Sequence, residues 1–179
     1  MANFSLYKFQ IELSDIPRSR YETLEFRAAL HPSESLPYFL TRILAYALNF
    51  EDDLTFAPTG LHDPDAAAMH ILEAHGSYKT LIEIGSPTAR KLHKATKLAK
   101  SVKVYTYKNP QALMEEIIKE KVHRASEIEI YSLAASFLSE LEPHLKLNNR
   151  WGLLYNDGTI SVQIGESTIS GELTSHLLP

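Results

Sequence analysis

The sequence predicts an α/β protein with a mixed sheet, and three observations support this fold class. Segments with the alternation typical of strands recur along the chain. Between them lie segments whose apolar residues follow helical spacing. Near the middle, a strand, a helix and a strand follow in that order, which predicts a right-handed crossover onto a parallel neighbour, whereas the flanking hairpins predict antiparallel pairs. We therefore expect a compact mixed-sheet α/β roll.

Length and composition indicate one ordinary globular domain. With 179 residues the chain can bury a sizeable core, and we expect a single domain over residues 1–179. There is no cysteine, which excludes disulfides, thiolate zinc sites and a cysteine nucleophile. No window approaches the roughly 20 apolar residues that a membrane span needs. We therefore expect a cytoplasmic protein that does not contact a membrane.

The N-terminal elements can be read from their apolar patterns. Phe4–Leu13 alternates as a strand does, and Tyr21–Leu30 fits a second strand or a short helix. We favour the strand, because a hairpin with the first segment would bury both apolar faces. A broad apolar stripe over Leu36–Leu48 predicts a helix. Ser33 or Ser35 could cap it, and Pro37 in the first turn favours Ser35.

The middle of the chain predicts a meander followed by a crossover. Leu54–Ala57 is a short strand, and Ala66–Ala74 is ambiguous between strand and helix. A turn at Gly76 leads into the strand "TLIEIG", and Thr88–Ser101 then forms a basic helix. The remaining predicted elements are the strand Val102–Tyr107, the helix "PQALMEEIIKEKV", the strand "EIEIYSL", the helix "AASFLSELEPHL", a hairpin at Asp157-Gly158 and a turn near Gly165.

Glu83 lies at the centre of an apolar strand. Alternation places it on one face with Leu81 and Gly85, where burying an unpaired carboxylate would cost several kcal/mol. A cation must therefore lie near it, either a lysine or arginine side chain or a divalent metal. Asp63, Asp65, Glu73 and Glu34 are the acids that could converge on it.

Charge is unevenly distributed along this acidic chain, whose net charge is -4. No acid lies between Glu83 and Glu115, whereas this interval contains seven basic residues. They are Arg90, Lys91, Lys94, Lys97, Lys100, Lys103 and Lys108. The pattern fits either a solvated helix face or a surface that contacts a polyanion.

Five motifs follow one another along the chain: "HPSE" before the first helix, "RILAYAL" within it, the "GLHDPD" loop, "IEIGSPTARKLHKA" and "VYTY". In this order and spacing they resemble the motifs of the YaeQ family. The fold of that family is a compact variation of the PD-(D/E)XK nuclease core, similar to restriction endonucleases. The resemblance therefore implies a metal-dependent, nuclease-like protein that acts on DNA or RNA.

The resemblance also assigns roles to individual residues. Glu83 and Asp65 match the two motif acids and would hold Mg²⁺ or Mn²⁺, with the backbone carbonyl of Ile84 as a further ligand. Asp65 and Glu73 both remain candidates for the motif aspartate. Glu34 would assist the site directly or through water.

The lysine of the nuclease motif is absent from the strand, where Gly85 occupies its position. The resemblance implies that Lys94, on the following helix, supplies the missing ammonium group. Arg90, Lys91 and Lys97 would contact phosphate groups of a nucleic acid. Arg90 could instead pair with Glu34, and an ion pair of Lys94 with Glu83 would explain both residues without chemistry. The alternative function is a non-catalytic module that binds nucleic acid or protein on a degenerate nuclease scaffold.

Overall fold

The computed structural model describes residues 4–57 and 64–179. The strands are β1 (Ser5–Asp15), β2 (Arg20–Leu30), β3 (Thr55–Phe56), β4 (Met69–Leu72), β5 (Tyr78–Ile84), β6 (Ala99–Thr106), β7 (Ile128–Leu133), β8 (Asn148–Asn156), β9 (Thr159–Ile164) and β10 (Ser167–His176). The helices are α1 (Leu36–Leu48), α2 (Ala89–Leu98), α3 (Pro110–Lys119) and α4 (Ala135–Leu141). The chain divides into two compact units. Unit 1 comprises Met1–Leu48 and Leu133–Thr174, and unit 2 comprises Asn49–Ser132 and Ser175–Pro179.

Unit 1 contains a mixed sheet in the order β2-β1-β8-β9-β10. β1 pairs with β8 in parallel, and the other neighbours are antiparallel. Period-two alternation places one face of β1 in the core, where Phe9, Ile11 and Leu13 are buried. Trp151 on β8 is buried too.

Unit 2 contains the predicted meander and crossover. β3, β4 and β5 pair antiparallel, and β5, β6 and β7 pair in parallel. Leu92 and Ala95 of α2 and Leu113 and Ile117 of α3 pack in one apolar cluster with residues of β5, β6 and β7. Leu81 belongs to this cluster, so Glu83, two residues along the same strand, points towards the side that the helices cover.

Most predicted elements are present, and the exceptions have local causes. The second segment is a strand, β2, as favoured, and the ambiguous segment contains the strand β4. The basic helix ends at Leu98 rather than Ser101, because the backbone is already extended at Ala99, where β6 begins. α3 ends at Lys119 rather than Val122, because Lys121 adopts a left-handed conformation with φ of 51°. The amide of Val122 then bonds the carbonyl of Ile117, as in a Schellman motif.

The predicted hairpin turn is confirmed by its backbone. Asp157 and Gly158 both have positive φ, as a two-residue turn between β8 and β9 requires. Gly165 has positive φ in the turn between β9 and β10. In the described residues, no helix is long and apolar enough to cross a membrane. The single domain over residues 1–179 stays a prediction, as does the cytoplasmic location.

Candidate functional site: a buried acid and lysine pair

Glu83 forms an ion pair with Lys91 at the junction of β5 and α2. Nζ of Lys91 lies 3.0 Å from Oε2 of Glu83. The Glu83 side chain is 4% exposed and that of Lys91 is 22% exposed. The buried glutamate therefore has a cationic partner on the helix that follows it, as its position in an apolar strand requires.

The turn between the two elements brings these side chains together. β5 ends at a sharp turn in which Gly85 has φ of 81°, a conformation that other residues rarely adopt. The Gly85 amide donates to the carbonyl of Tyr105 at 2.8 Å and fixes the strand end on β6. Thr88 then caps α2 by accepting a hydrogen bond from the Lys91 amide at 3.2 Å. Lys91 thus lies in the first helical turn, beside the end of β5.

Burial has the largest effect on the pKa of Glu83. Removal of the carboxylate from water raises its pKa from 4.5 to about 7, against the opposing attraction and hydrogen bond of Lys91. The carboxyl group therefore changes its charge near neutral pH. Groups of this kind occur both at functional sites and in structural ion pairs.

Lys94 lies beside Asp65 and not beside Glu83. Its Nζ is 3.5 Å from Oδ2 of Asp65, and the two side chains are 54% and 62% exposed. The sequence expectation of a Lys94 to Glu83 contact is thus wrong, because Lys91 occupies that position. Since Lys91 and Lys94 are one turn apart on α2, Asp65 and Glu83 approach neighbouring positions of the same helix.

Glu34, in unit 1, is bound by Arg42 of α1. Nε and Nη2 of Arg42 each donate to a carboxylate oxygen of Glu34 at 3.0 Å. Nη2 also donates to the carbonyl of Ala29 on β2 at 2.7 Å. The Glu34 side chain is 2% exposed, and burial raises its pKa against the attraction of Arg42. The cation that pairs with Glu34 is therefore Arg42, where the sequence suggested Arg90.

Glu73 lies at the opposite end of the β4–β5 hairpin from Glu83. Its amide bonds the carbonyl of Ser77, at the start of β5, which is about 20 Å along the strand from Glu83. Its carboxylate pairs with Lys100, and the hydrogen bond from Lys100 lowers its pKa. Of the two candidates for the motif aspartate, only Asp65 lies near α2. Asp63 lies outside the described residues.

The basic residues of α2 divide into one inward and three outward side chains. Lys91 points to Glu83, whereas Arg90, Lys94 and Lys97 are exposed. The three exposed residues recur at intervals of four and three, so they follow one face of the helix. We call this set the α2 row. Within the described residues, Arg90 and Lys97 form no ion pair, and Lys94 has only its exposed contact with Asp65.

The donors for a metal are sparse in this part of the molecule. Ile84 is 5% exposed, and its carbonyl precedes the turn at Gly85. Over residues 4–57 and 64–179, no three histidine or acidic side chains form a group that could hold a metal ion. Glu83 and Asp65 therefore offer two carboxylates, of which one is already neutralised by Lys91.

The role of Lys91 could have been found from the sequence. On a helical wheel of about 100° per residue, Lys91 lies about 100° from Leu92, whereas Lys94 lies about 160° from it. Because Leu92 is at the centre of the buried face, Lys91 flanks the core and Lys94 faces outward. Arg42 had no comparable signal, because it lies within the apolar stripe of α1.

These features define a mixed α/β protein in which a buried glutamate at a strand end is neutralised from the next helix. The chain belongs to the YaeQ family: the family model described as YaeQ protein matches residues 1–173. It is 23% identical to the uncharacterized protein YaeQ of Salmonella typhi over 176 residues, which cover 98% of this chain and 97% of that protein. It is 28% identical to the uncharacterized protein YaeQ of Escherichia coli (strain K12) over 108 residues, 60% of this chain and 59% of that one.

Solved structures share the same fold. The crystal structure of YaeQ protein from Xanthomonas axonopodis pv. citri matches with a TM-score of 0.90 and 20% identity, over 99% of this chain and 100% of that chain. The crystal structure of YaeQ protein from Pseudomonas syringae matches with a TM-score of 0.87 and 24% identity, over 96% and 95% of the two chains. The mixed α/β fold is therefore that of the YaeQ structures.

Proposed function

We propose that this protein is a nucleic-acid-binding module without catalytic activity, and that it contacts phosphates through the α2 row. The observation that carries the proposal is the α2 row itself. It presents three exposed cations along one helix face that has no acid of its own. Its one acidic contact within the described residues is that of Lys94 with Asp65, an exposed pair of the kind that contributes less than about 1 kcal/mol, so a phosphate can replace it.

The buried pair supports the same interpretation. Glu83 has a lysine partner at 3.0 Å, so its position in the core is explained without a bound ion. The residue also keeps its negative charge away from the exposed face of α2, because its side chain is only 4% exposed. The exposed face of α2 is thus more positive than a count of all charges at the β5–α2 junction suggests, because that count includes the buried Glu83.

Binding can be tested by fluorescence anisotropy with labelled single-stranded and duplex oligonucleotides at low salt. We expect an association constant whose logarithm falls with the logarithm of the salt concentration, with a slope of about −2 to −3 for three phosphate contacts. The variant Arg90→Gln/Lys94→Gln/Lys97→Gln should lose most of this slope. The matched control Lys108→Gln/Lys119→Gln/Lys146→Gln removes three exposed lysines elsewhere and should keep it.

Two results would reject this function. One is the absence of oligonucleotide binding by the unaltered protein at low salt. The other is an equal loss of binding in the control variant, which would mean that only total charge matters.

A second candidate is a metal-dependent phosphodiesterase, the activity that the nuclease resemblance implies. The contacts of Glu83 and Asp65 with two lysines one helical turn apart favour it, since both candidate motif acids then contact neighbouring positions of α2. The described residues supply only these two carboxylates there, so they do not complete a metal site, and we derive no catalytic step. Mg²⁺ or Mn²⁺ would have to compete with Lys91 for Glu83.

Calorimetric titration with Mn²⁺ and a plasmid cleavage assay separate the two candidates. The phosphodiesterase requires saturable Mn²⁺ binding and metal-dependent cleavage, both lost in Glu83→Gln and kept in the control Glu129→Gln. Oligonucleotide binding that depends on the α2 row, without Mn²⁺ binding or cleavage, would favour the non-catalytic module.

A further inference from the structure

An open pocket of about 450 Å³ lies on the outer face of the β2-β1-β8 part of the sheet in unit 1. Strand register explains which side chains meet there. Lys8 on β1 lies directly opposite Arg27 on β2 and beside Asn148 on β8. One step along the same face, Gln10 lies between Glu25 and Arg150. The polar side chains that line the pocket on this face are those of Lys8, Gln10, Glu25, Arg27, Asn148 and Arg150.

The charges of this pocket are unusual for a solvated sheet face. Lys8 and Arg27 are directly opposed across an antiparallel pair, an arrangement of like charges that destabilises a sheet. Arg150 adds a third cation on the diagonal from Lys8. The lining contains one acid, Glu25, so three positive groups face one negative group.

None of these three cations forms an ion pair with a residue that the structure describes. Of the 18 lysines and arginines, all of which the structure describes, nine have an acidic partner, so this pocket contains three of the nine without an ion pair to a described residue. Three cations without an ion pair therefore converge on one pocket, and two of them face each other in an arrangement that destabilises the sheet. This indicates a site for an anion.

Pocket size and donor chemistry restrict the anion. The volume falls within the range of about 300–1,000 Å³ that is typical of small-molecule sites. The two arginines can each offer a planar pair of donors to a phosphate group, and Gln10 and Asn148 add amide donors. β2 and β8 are two strand spacings apart, about 10 Å, so a ligand that reaches both arginines needs more than one anionic group.

The aromatic residues of the lining do not provide a platform for a base. Phe9 is 3% exposed. Its ring stacks on that of Phe26 with centroids 5.3 Å apart, and Phe26 also contacts Tyr46. We propose that this pocket binds a compact anion with two or three linked phosphate groups, through Arg27, Arg150 and Lys8. The pocket is independent of the α2 row. Whether the pocket binds such an anion therefore does not decide whether the α2 row binds nucleic acid.

Isothermal titration of the full chain with inorganic pyrophosphate and tripolyphosphate tests the site. We expect saturable binding, tighter for tripolyphosphate. Arg27→Gln/Arg150→Gln should weaken binding by about tenfold or more, because each arginine makes a charge-assisted hydrogen bond to phosphate. Glu25→Gln should strengthen binding by removing the one opposing charge. The control Lys108→Gln/Lys119→Gln removes the same charge from unit 2, outside the α2 row, and should leave the affinity unchanged.

Stability supplies a second measurement that does not need the ligand. If the opposed Lys8 and Arg27 are retained for binding, Arg27→Gln should raise the thermal unfolding midpoint of the free protein while it lowers the affinity for tripolyphosphate. The proposal is overturned if the unaltered protein shows no saturable binding, or if the unit 2 control loses as much affinity as the pocket variant. It is also overturned if a single-stranded oligonucleotide displaces tripolyphosphate from this pocket and binds more tightly, since the ligand would then be a nucleic acid.

Discussion

At the scale of single residues, the choice of lysine at the β5–α2 junction follows from helix geometry. Lys91 lies next to the buried face of α2, so its ammonium group reaches the strand end where Glu83 is buried. Lys94, on the outer side, reaches only the exposed Asp65. Position around the helix therefore decides which of two similar residues stabilises the core.

Replacing Lys91 should be much more costly than replacing Lys94. Lys91→Met leaves a buried carboxylate without its cation and should lower the free energy of unfolding by about 3 kcal/mol. Lys94→Met breaks an exposed pair and should change it by less than about 1 kcal/mol. Urea unfolding of both variants at pH 8, above the pKa of Glu83 in the unaltered protein, measures the difference. Equal effects would show that Lys91 does not stabilise Glu83, and the double variant Lys91→Met/Glu83→Leu should recover much of the lost stability.

Gly85 is a residue that the backbone requires. Because its φ is 81°, the substitution Gly85→Lys should destabilise the protein by about 1–2 kcal/mol. Gly85→Asn should cost less, since asparagine tolerates positive φ better than lysine does. Thermal unfolding of both variants tests this order. If Gly85→Lys proved as stable as the unaltered chain, the turn would not be the reason why the strand lacks a lysine.

At the scale of elements, the contact of α4 with β10 depends on one glycine. A Cβ atom at Gly171 would lie 2.5 Å from Cγ of Phe137, which no pair of atoms in a core tolerates. At Gly152 on β8, the nearest atom would be Cβ of Gln163 at 3.5 Å, an ordinary contact. The glycine of β10 is thus needed for the helix to pack closely, and that of β8 is not.

This contrast gives a matched pair of substitutions. Gly171→Ala should destabilise the protein by about 1–3 kcal/mol, because Phe137 must move out of a packed core. Gly152→Ala should cause no comparable loss. Denaturant unfolding compares them, and Gly171→Ala added to Phe137→Ala should cost little more than Phe137→Ala alone. A full additional loss in the double variant would show that the clash with Phe137 is not the cause.

Much of the element order could be predicted from the sequence, whereas side-chain partners could not. Apolar periodicity identified α1 and β2, and Asp157-Gly158 identified a hairpin. The ends of α2 and α3 were missed, because Ala99 and Lys121 have no marked preference for the conformations that end those helices. Helix wheel position would have selected Lys91, but the partnership of Arg42 with Glu34 depends on the packing of α1 against β2.

At the scale of the whole molecule, the buried acids govern how stability depends on pH. Burial raises the pKa of Glu83 to about 7 and also raises that of Glu34, one in each unit. An acid with a raised folded-state pKa keeps a proton that the unfolded chain releases above its ordinary value of 4.5. The stabilisation of the folded state that this proton provides is therefore fully present below pH 4.5 and is lost as the pH rises towards 7. The lowered pKa values of Glu73 and Glu127 act in the opposite direction at lower pH, and the pKa of His70, which burial lowers from 6.5, opposes the two acids within the same range.

We expect the free energy of unfolding to fall between about pH 4.5 and pH 7, by up to about 3 kcal/mol from Glu83 alone. Glu83→Gln, which cannot ionise, should reduce this slope. Urea unfolding of the two proteins across this range tests the sign. A stability that rises with pH equally in both would contradict a raised pKa of Glu83.

The parallel pairing of β1 with β8 has a consequence for how the chain acquires its structure. Lys8 pairs with Asn148, so β1 has no partner on that side until β8 has been synthesised as well. The contiguous segment of unit 2, residues 49–132, is complete by then. During synthesis the β1–β2 hairpin therefore exposes an open strand edge, the kind of surface that chaperones shield and that aggregation exploits.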